Sequence, residues 1–275
     1  MYRPRTGLTF AVLDDLALAA SRRRVAPNEV LASHAIVRIG PLLELLLLSR
    51  STALSLDALA ECPIRQALND ALREAAVARG AFGAFGDMSF GFIRTGRDTM
   101  NGEAELQWVA FRQRAQQAAE LSLPKKIAQG LIGAMTEIEE NVHLHSERPH
   151  DGVVGFRGTR EEFEFAVADS GIGVLASLRK SPDYAHLADA GTALRLALQD
   201  GHSRLKYLER NRGYGFRDLF RTLATINGEL RFRSDDQAVT IDGVGPELVK
   251  SVLSQKAPLR GFAASVVCRP YRASI

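Results

Sequence analysis

Cysteine is nearly absent from this chain. Cys62 and Cys268 are the only two in 275 residues and lie far apart, which excludes a disulfide framework and a cysteine-built zinc site. A reducing cytoplasm is the expected setting. Long apolar runs are also missing. The most apolar stretch, Ile39 to Ser49, is broken by Glu44 and falls short of the ~20 residues that span a bilayer, so it reads as a buried helix and no membrane partner is expected. The opening Met1-Tyr-Arg-Pro-Arg5 leads into a mixed segment with Asp14 and Asp15, not into the apolar stretch of a secretory signal. Charge of one sign is scarce too: 35 Lys and Arg against 32 Asp and Glu leave +3, too little to indicate nucleic acid. Arg22-Arg23-Arg24 is a basic run of the kind that forms a solvated face.

What is present divides near residue 120. Residues 1–120 read as a mixed, mainly helical N-terminal region, with helical patterning around Leu42–Leu48, Arg65–Arg79 and Glu103–Glu120 and a glycine-rich interruption at Gly80–Gly86. No chemistry is legible there, and a regulatory role is the option it leaves. In residues 121–275 Pro124 suits the first turn of a helix, with Ser122 as its cap. Ile127, Leu131, Met135 (or Ala134), Ile138 and Val142 then recur at steps of three or four as one apolar face. Val153–Arg157 and Phe163–Ala168 read as a strand pair around a polar turn. Helices follow at Leu187–Leu198 and Phe216–Ile226, then strands at Glu229–Arg233, Ala238–Ile241 and Ala263–Arg269. This order predicts an α+β fold with a two-layer sandwich.

Three short runs stand out against that background. In Glu137-Ile-Glu-Glu-Asn141-Val-His-Leu-His-Ser146, Glu137, Asn141 and His145 step by four and form a polar stripe beside the apolar face. In Val167-Ala-Asp169-Ser-Gly171-Ile-Gly173 an acid ends a strand and a flexible turn follows at once. The third is Arg212-Gly213-Tyr-Gly215-Phe216. Two competing readings exist. Gly171-Ile-Gly173-Val-Leu-Ala176 fits a dinucleotide fingerprint with Asp189 downstream, yet Asp189 lies in a helix-patterned stretch where a second strand is required. His143, His145 and His150 suggest a metal, yet His143 and His145 are two apart and point to different sides of a helix.

In order and content the three runs resemble the N-box and the two glycine boxes of the GHKL superfamily. This is the ATP-binding fold of sensor histidine kinases, anti-sigma serine kinases, gyrase, Hsp90 and MutL, and the chain looks nearest the anti-sigma serine kinase branch. The resemblance covers roughly residues 120–270. It implies a histidine kinase-like ATP-binding domain over 121–275, a two-layer α/β sandwich of the Bergerat type, with ATP and Mg²⁺ as ligands. Asn141 would then be the magnesium ligand, a role that suits a hard carboxamide oxygen. Glu137 would take the general-base position, and Asp169 would accept from the adenine amino group. Gly171 and Gly173 would turn the chain against the base. Arg212, Gly213 and Gly215 would hold phosphate at the end of a mobile lid that also carries Ser203, Arg204, Lys206 and Arg210. There are departures. The second glycine box is short, and Phe262 follows Gly261 where many members have Thr; Ser265 is the nearby hydroxyl.

The activity implied is that of a bacterial-type signalling or regulatory protein that binds Mg-ATP and hydrolyses it or passes its γ-phosphate to a protein partner. An ATP-gated switch without phosphotransfer, acting through homodimerisation for instance, and a partner-binding protein with a degenerate pocket are the alternatives. Ser33-His34-Ala-Ile-Val-Arg38-Ile-Gly-Pro41-Leu42 superficially resembles a histidine-kinase phosphoacceptor box, but the acid after the His is missing and two residues intrude.

Overall fold

The structure is a computed structural model, and it describes residues 6–22, 27–73, 79–96, 102–199, 227–244 and 250–270. Strand β1 (Thr6–Gly7) leads into α1 (Phe10–Ser21), which Thr9 caps by accepting the Val12 N–H at 3.3 Å. Helix α2 (Pro27–Ala32) and strand β2 (His34–Ala35), parallel to β1, precede α3 (Ile39–Leu48). Every residue of α3 is buried, as its apolar composition on all sides requires. Each of its leucines stabilises the fold by roughly 1.5–3 kcal/mol on burial. Next come α4 (Pro63–Arg73) and the hairpin β3 (Ala81–Phe85) and β4 (Met88–Arg94).

Helices α5 (Gly102–Ala119) and α6 (Lys125–His145) follow, then β5 (Val153–Gly158), β6 (Phe163–Asp169), α7 (Gly173–Leu178) and α8 (Ala190–Ala197). The last two elements are the long strands β7 (Asn227–Val244) and β8 (Val252–Arg269). Pro124 sits at the N-cap of α6, one position before the first turn, and no side chain caps that helix, Ser122 included. The expected helix Phe216–Ile226 lies outside the described residues.

β3 to β8 form one antiparallel sheet in the order β3-β4-β5-β6-β8-β7. The fold is thus α+β. The sheet crosses residue 120: the Gly80–Gly86 run, expected as a break between helices, supplies its edge strand β3. A two-layer sandwich has helices on one face, whereas here they cover both. On one face α5 and α6 pack Trp108, Phe111, Leu131, Met135 and Ile138 with Phe156, Phe165, Val167, Phe232 and Val266 of the sheet. On the other, leucines of α1, α3 and α4 pack on Phe90, Phe92, Val153, Ala166, Ala168 and Ala263. Strands β5 and β6 are buried along their whole length, and only a third layer can do that.

The third layer is also held by charge. Glu164 on β6 accepts the N–H groups of Ile39 (3.1 Å) and Gly40 (2.8 Å), placing a carboxylate at the N-terminus of α3. Glu44 of α3 receives the Arg231 Nε at 2.7 Å and the Arg233 Nη1 at 2.8 Å, and Asp14 of α1 receives the Arg231 Nη2 at 2.7 Å. Arg233 is fully buried, so these partners are what allow its charge to be there.

Candidate functional site

Helix α6 carries the first two expected residues. Its buried stripe, Leu131, Ala134, Met135, Ile138 and Val142, lies on the sheet and leaves Glu137 and Asn141, one turn apart, half-buried beside it. Glu139 between them is fully buried and meets the His143 Nε2 at 2.9 Å, so this histidine serves the helix. Among the described residues no group of His, Cys, Asp or Glu is arranged to hold a metal ion, and His150 packs against Gly96.

Asp169 is the last residue of β6. Alternation from Phe165 and Val167 turns it to the α6 face of the sheet. It is 4% exposed, and its Oδ1 accepts the Gly171 N–H at 2.8 Å, the one hydrogen bond it makes among the described residues. Burial pushes the carboxyl up to about 6, against a smaller downward pull from that N–H. Oδ2 is left for another donor. Opposite Asp169 in register stands Phe262 of β8, packed against the α6-side core. Ser265 faces the other way: a Cβ on Gly40 of α3 would come within 2.3 Å of its Oγ. It therefore cannot replace a hydroxyl at position 262.

The turn after Asp169 is pinned from three sides. Ile172 N–H donates to the Ser146 carbonyl at the end of α6 (3.0 Å), and Arg50 Nη1 donates to Ser170 Oγ (2.5 Å). Val174 N–H donates to Ser234 Oγ (3.0 Å), whose own hydroxyl donates to the Gly261 carbonyl (2.8 Å). Gly171 allows a close approach, since a Cβ there would stand 2.3 Å from the Ser146 oxygen, and Gly173 has φ of +78°. Asp235 accepts the Leu175 N–H, and burial raises its pKa. With Val174 and Leu175 already engaged, the start of α7 is no phosphate cradle. Arg212, Gly213 and Gly215, expected as phosphate-binding residues, lie with Ser203, Arg204, Lys206 and Arg210 outside the described residues.

The structure brings the end of the Glu137–Asn141 helix against the Asp169–Gly173 turn. Arg50, Ser146 and Ser234 complete the arrangement; Ser146 closes the first of the three runs and Ser234 ends the pattern Leu230-Arg-Phe-Arg-Ser234, while Arg50 had no sequence signal, because its contact with Ser170 spans 120 residues. The dinucleotide-fingerprint alternative does not fit. Both neighbours of β6 are antiparallel to it, and Asp189 caps α8 by accepting the Thr192 N–H at 2.7 Å. The Ser33–Leu42 stretch serves the fold: Arg38 donates to Glu229 at 2.6 Å, and Ile39 and Gly40 bind Glu164.

No protein-family model matches the chain, and the search of curated proteins returned no match. Among the described residues no helix is long and apolar enough to cross a membrane.

Proposed function

We propose that the protein is a signalling or regulatory ATP-binding protein of the GHKL type, with its nucleotide between α6 and the Asp169–Gly173 turn. The observation that carries the reading is Asp169: a buried carboxylate at a strand end, one oxygen held by Gly171 N–H and the other left to accept an adenine amino group. Asn141, half-buried one turn beyond Glu137, offers the hard oxygen that Mg²⁺ takes. Mg²⁺, when bound, supplies charge neutralisation at the phosphates. Glu137 holds or accepts the proton of the attacking water or hydroxyl, so the activity is ATP hydrolysis or phosphate transfer to a protein partner.

The test is calorimetric titration of the full chain with Mg-ATP, with Mg-GTP, and with ATP in EDTA. Binding that needs magnesium and prefers adenine over guanine supports the reading. Equal affinity for ATP and GTP removes the Asp169 assignment, and no binding removes the proposal.

A further inference from the structure

The two edges of the main sheet are built very differently. β7 carries Glu229, Arg231, Arg233, Asp235 and Asp236 and breaks register twice between Ser234 and Gln237. Charges and bulges of this kind keep an edge from pairing with another chain. β3 has none of them. Its sequence around the strand is Gly80-Ala-Phe-Gly-Ala-Phe-Gly86, without charge, proline or bulge, and among the described residues nothing pairs with its outer side.

The hairpin geometry says which groups are free. Phe85 pairs with Met88 around a two-residue turn whose first residue, Gly86, has φ of +61°. The closing pair of such a turn exchanges hydrogen bonds, and so do Gly83 with Phe90 and Ala81 with Phe92. Phe82 and Ala84 therefore direct their N–H and C=O groups outward.

Beside this edge lies a cleft of about 610 Å³ between α4 and β3, lined by Gln66, Ala67, Asp70, Ala81, Gly83 and Phe90 among others. Phe85 shares its strand face with Ala81 and Gly83 but stands 68% exposed.

We propose that β3 is a homodimer interface: two copies join their sheets by antiparallel pairing of β3 with β3 about a two-fold axis at Gly83. Phe82 then faces the partner's Ala84, each such pair exchanging both its N–H···O bonds. Ala81 faces the partner's Phe85. That register brings the exposed ring of each copy to the mouth of the other's cleft, on the α4 face of the joined sheet. The strand carries the aromatic that suits the cleft, in register with it, and no charge to repel its own copy, so a second copy is the occupant. The arginines at the rim of the cleft each have an acid beside them, Arg73 with Asp70 at 3.6 Å and Arg79 with Glu103 at 3.9 Å, so the rim imposes no net repulsion across the axis. This inference is independent of nucleotide binding.

Sedimentation velocity of the full chain across two decades of micromolar concentration tests it. A concentration-dependent dimer is expected. Phe85→Lys, at a site already exposed, should raise its dissociation constant at least about tenfold. Ala84→Pro removes only an outward N–H, spares the ladder to β4 and should do the same; if its far-UV circular dichroism shows misfolding, Phe85→Lys decides alone. A monomer at every concentration overturns the proposal, as does a dimer that neither variant weakens. A monomer that instead takes up an extended peptide along β3 overturns the choice of occupant.

Discussion

Gly261 and the carbonyl of Asp169 approach so closely that a Cβ on the glycine would stand 1.9 Å from the carbonyl oxygen, and Gly261 has φ of +96°. The part of β8 that pairs with β6 thus starts folded onto the end of β6, at the residue that carries the site. Gly261→Ala meets both backbone strain and a clash with backbone, which has no flexible end to yield. The expected loss is about 3 kcal/mol or more of unfolding free energy in urea and, under the proposed function, weaker ATP binding as Asp169 is displaced. Gly133→Ala is the control. It lies exposed on α6 with open space where the Cβ goes, and should gain about 0.5–1 kcal/mol.

Glu164 joins the third layer to the sheet. It accepts two amides of α3 and faces Arg157 Nε at 3.3 Å. Burial raises its pKa, while Arg157 and the two N–H groups pull the other way. Glu164→Ala leaves two buried N–H donors and a guanidinium short of a partner, and should cost about 3–5 kcal/mol. Glu164→Gln keeps one acceptor and should cost less. Equal stability of Glu164→Ala and the unaltered chain in urea would show that α3 needs no such anchor.

How much of this was legible in the sequence depends on range. α6 and the β5–β6 pair were legible because their apolar spacing is local and their burial follows it. β3 was not: Phe82 and Phe85 favour a strand, but Ala81, Gly83 and Ala84 do not, and its strand state comes from pairing with β4. Glu229–Arg233 and Ala238–Ile241, expected as two strands, are one strand, β7, with a bulge between them where Asp235 has φ of +53°. α8 starts at Ala190, three residues later than its apolar pattern, because Asp189 caps it there. The stripe of Glu137 and Asn141 and the acid–glycine turn of Asp169 were local patterns. The third layer rests on Glu44 with Arg231 and Arg233, pairs that no local pattern reveals.

Glu137 and Asn141 separate chemistry from binding. Under the proposed function Glu137→Gln removes the proton acceptor and keeps the shape, so turnover should fall by about 10²-fold or more while Mg-ATP affinity holds. Asn141→Ala should abolish the magnesium dependence of binding. Turnover unchanged in Glu137→Gln, measured by phosphate release, would end the base assignment. Binding by Asn141→Ala as magnesium-dependent as before would end the ligand assignment.

Asp169 sets stability against function. Its pKa in the folded chain is raised from 3.8 to about 6, so the folded state binds its proton more tightly than the unfolded state does. The penalty for ionising it is absent below about pH 4, grows between pH 4 and 6, and is complete above about pH 6, where a shift of this size amounts to about 3 kcal/mol. Asparagine can still accept the Gly171 N–H and carries no charge. Asp169→Asn should therefore be more stable than the unaltered chain by about 1–3 kcal/mol at pH 8 and little different at pH 4, read from urea unfolding at both. Under the proposed function its ATP affinity should fall by about 1–3 kcal/mol, since the proposed charge-assisted hydrogen bond to adenine would be lost. Under the same proposal, ATP affinity of the unaltered chain should weaken as pH drops through about 6, where protonation removes the negative charge of Asp169. A variant that gains no stability at pH 8 would contradict the burial of a charged Asp169. One that gains stability and keeps its full ATP affinity would leave the buried carboxylate unexplained by adenine.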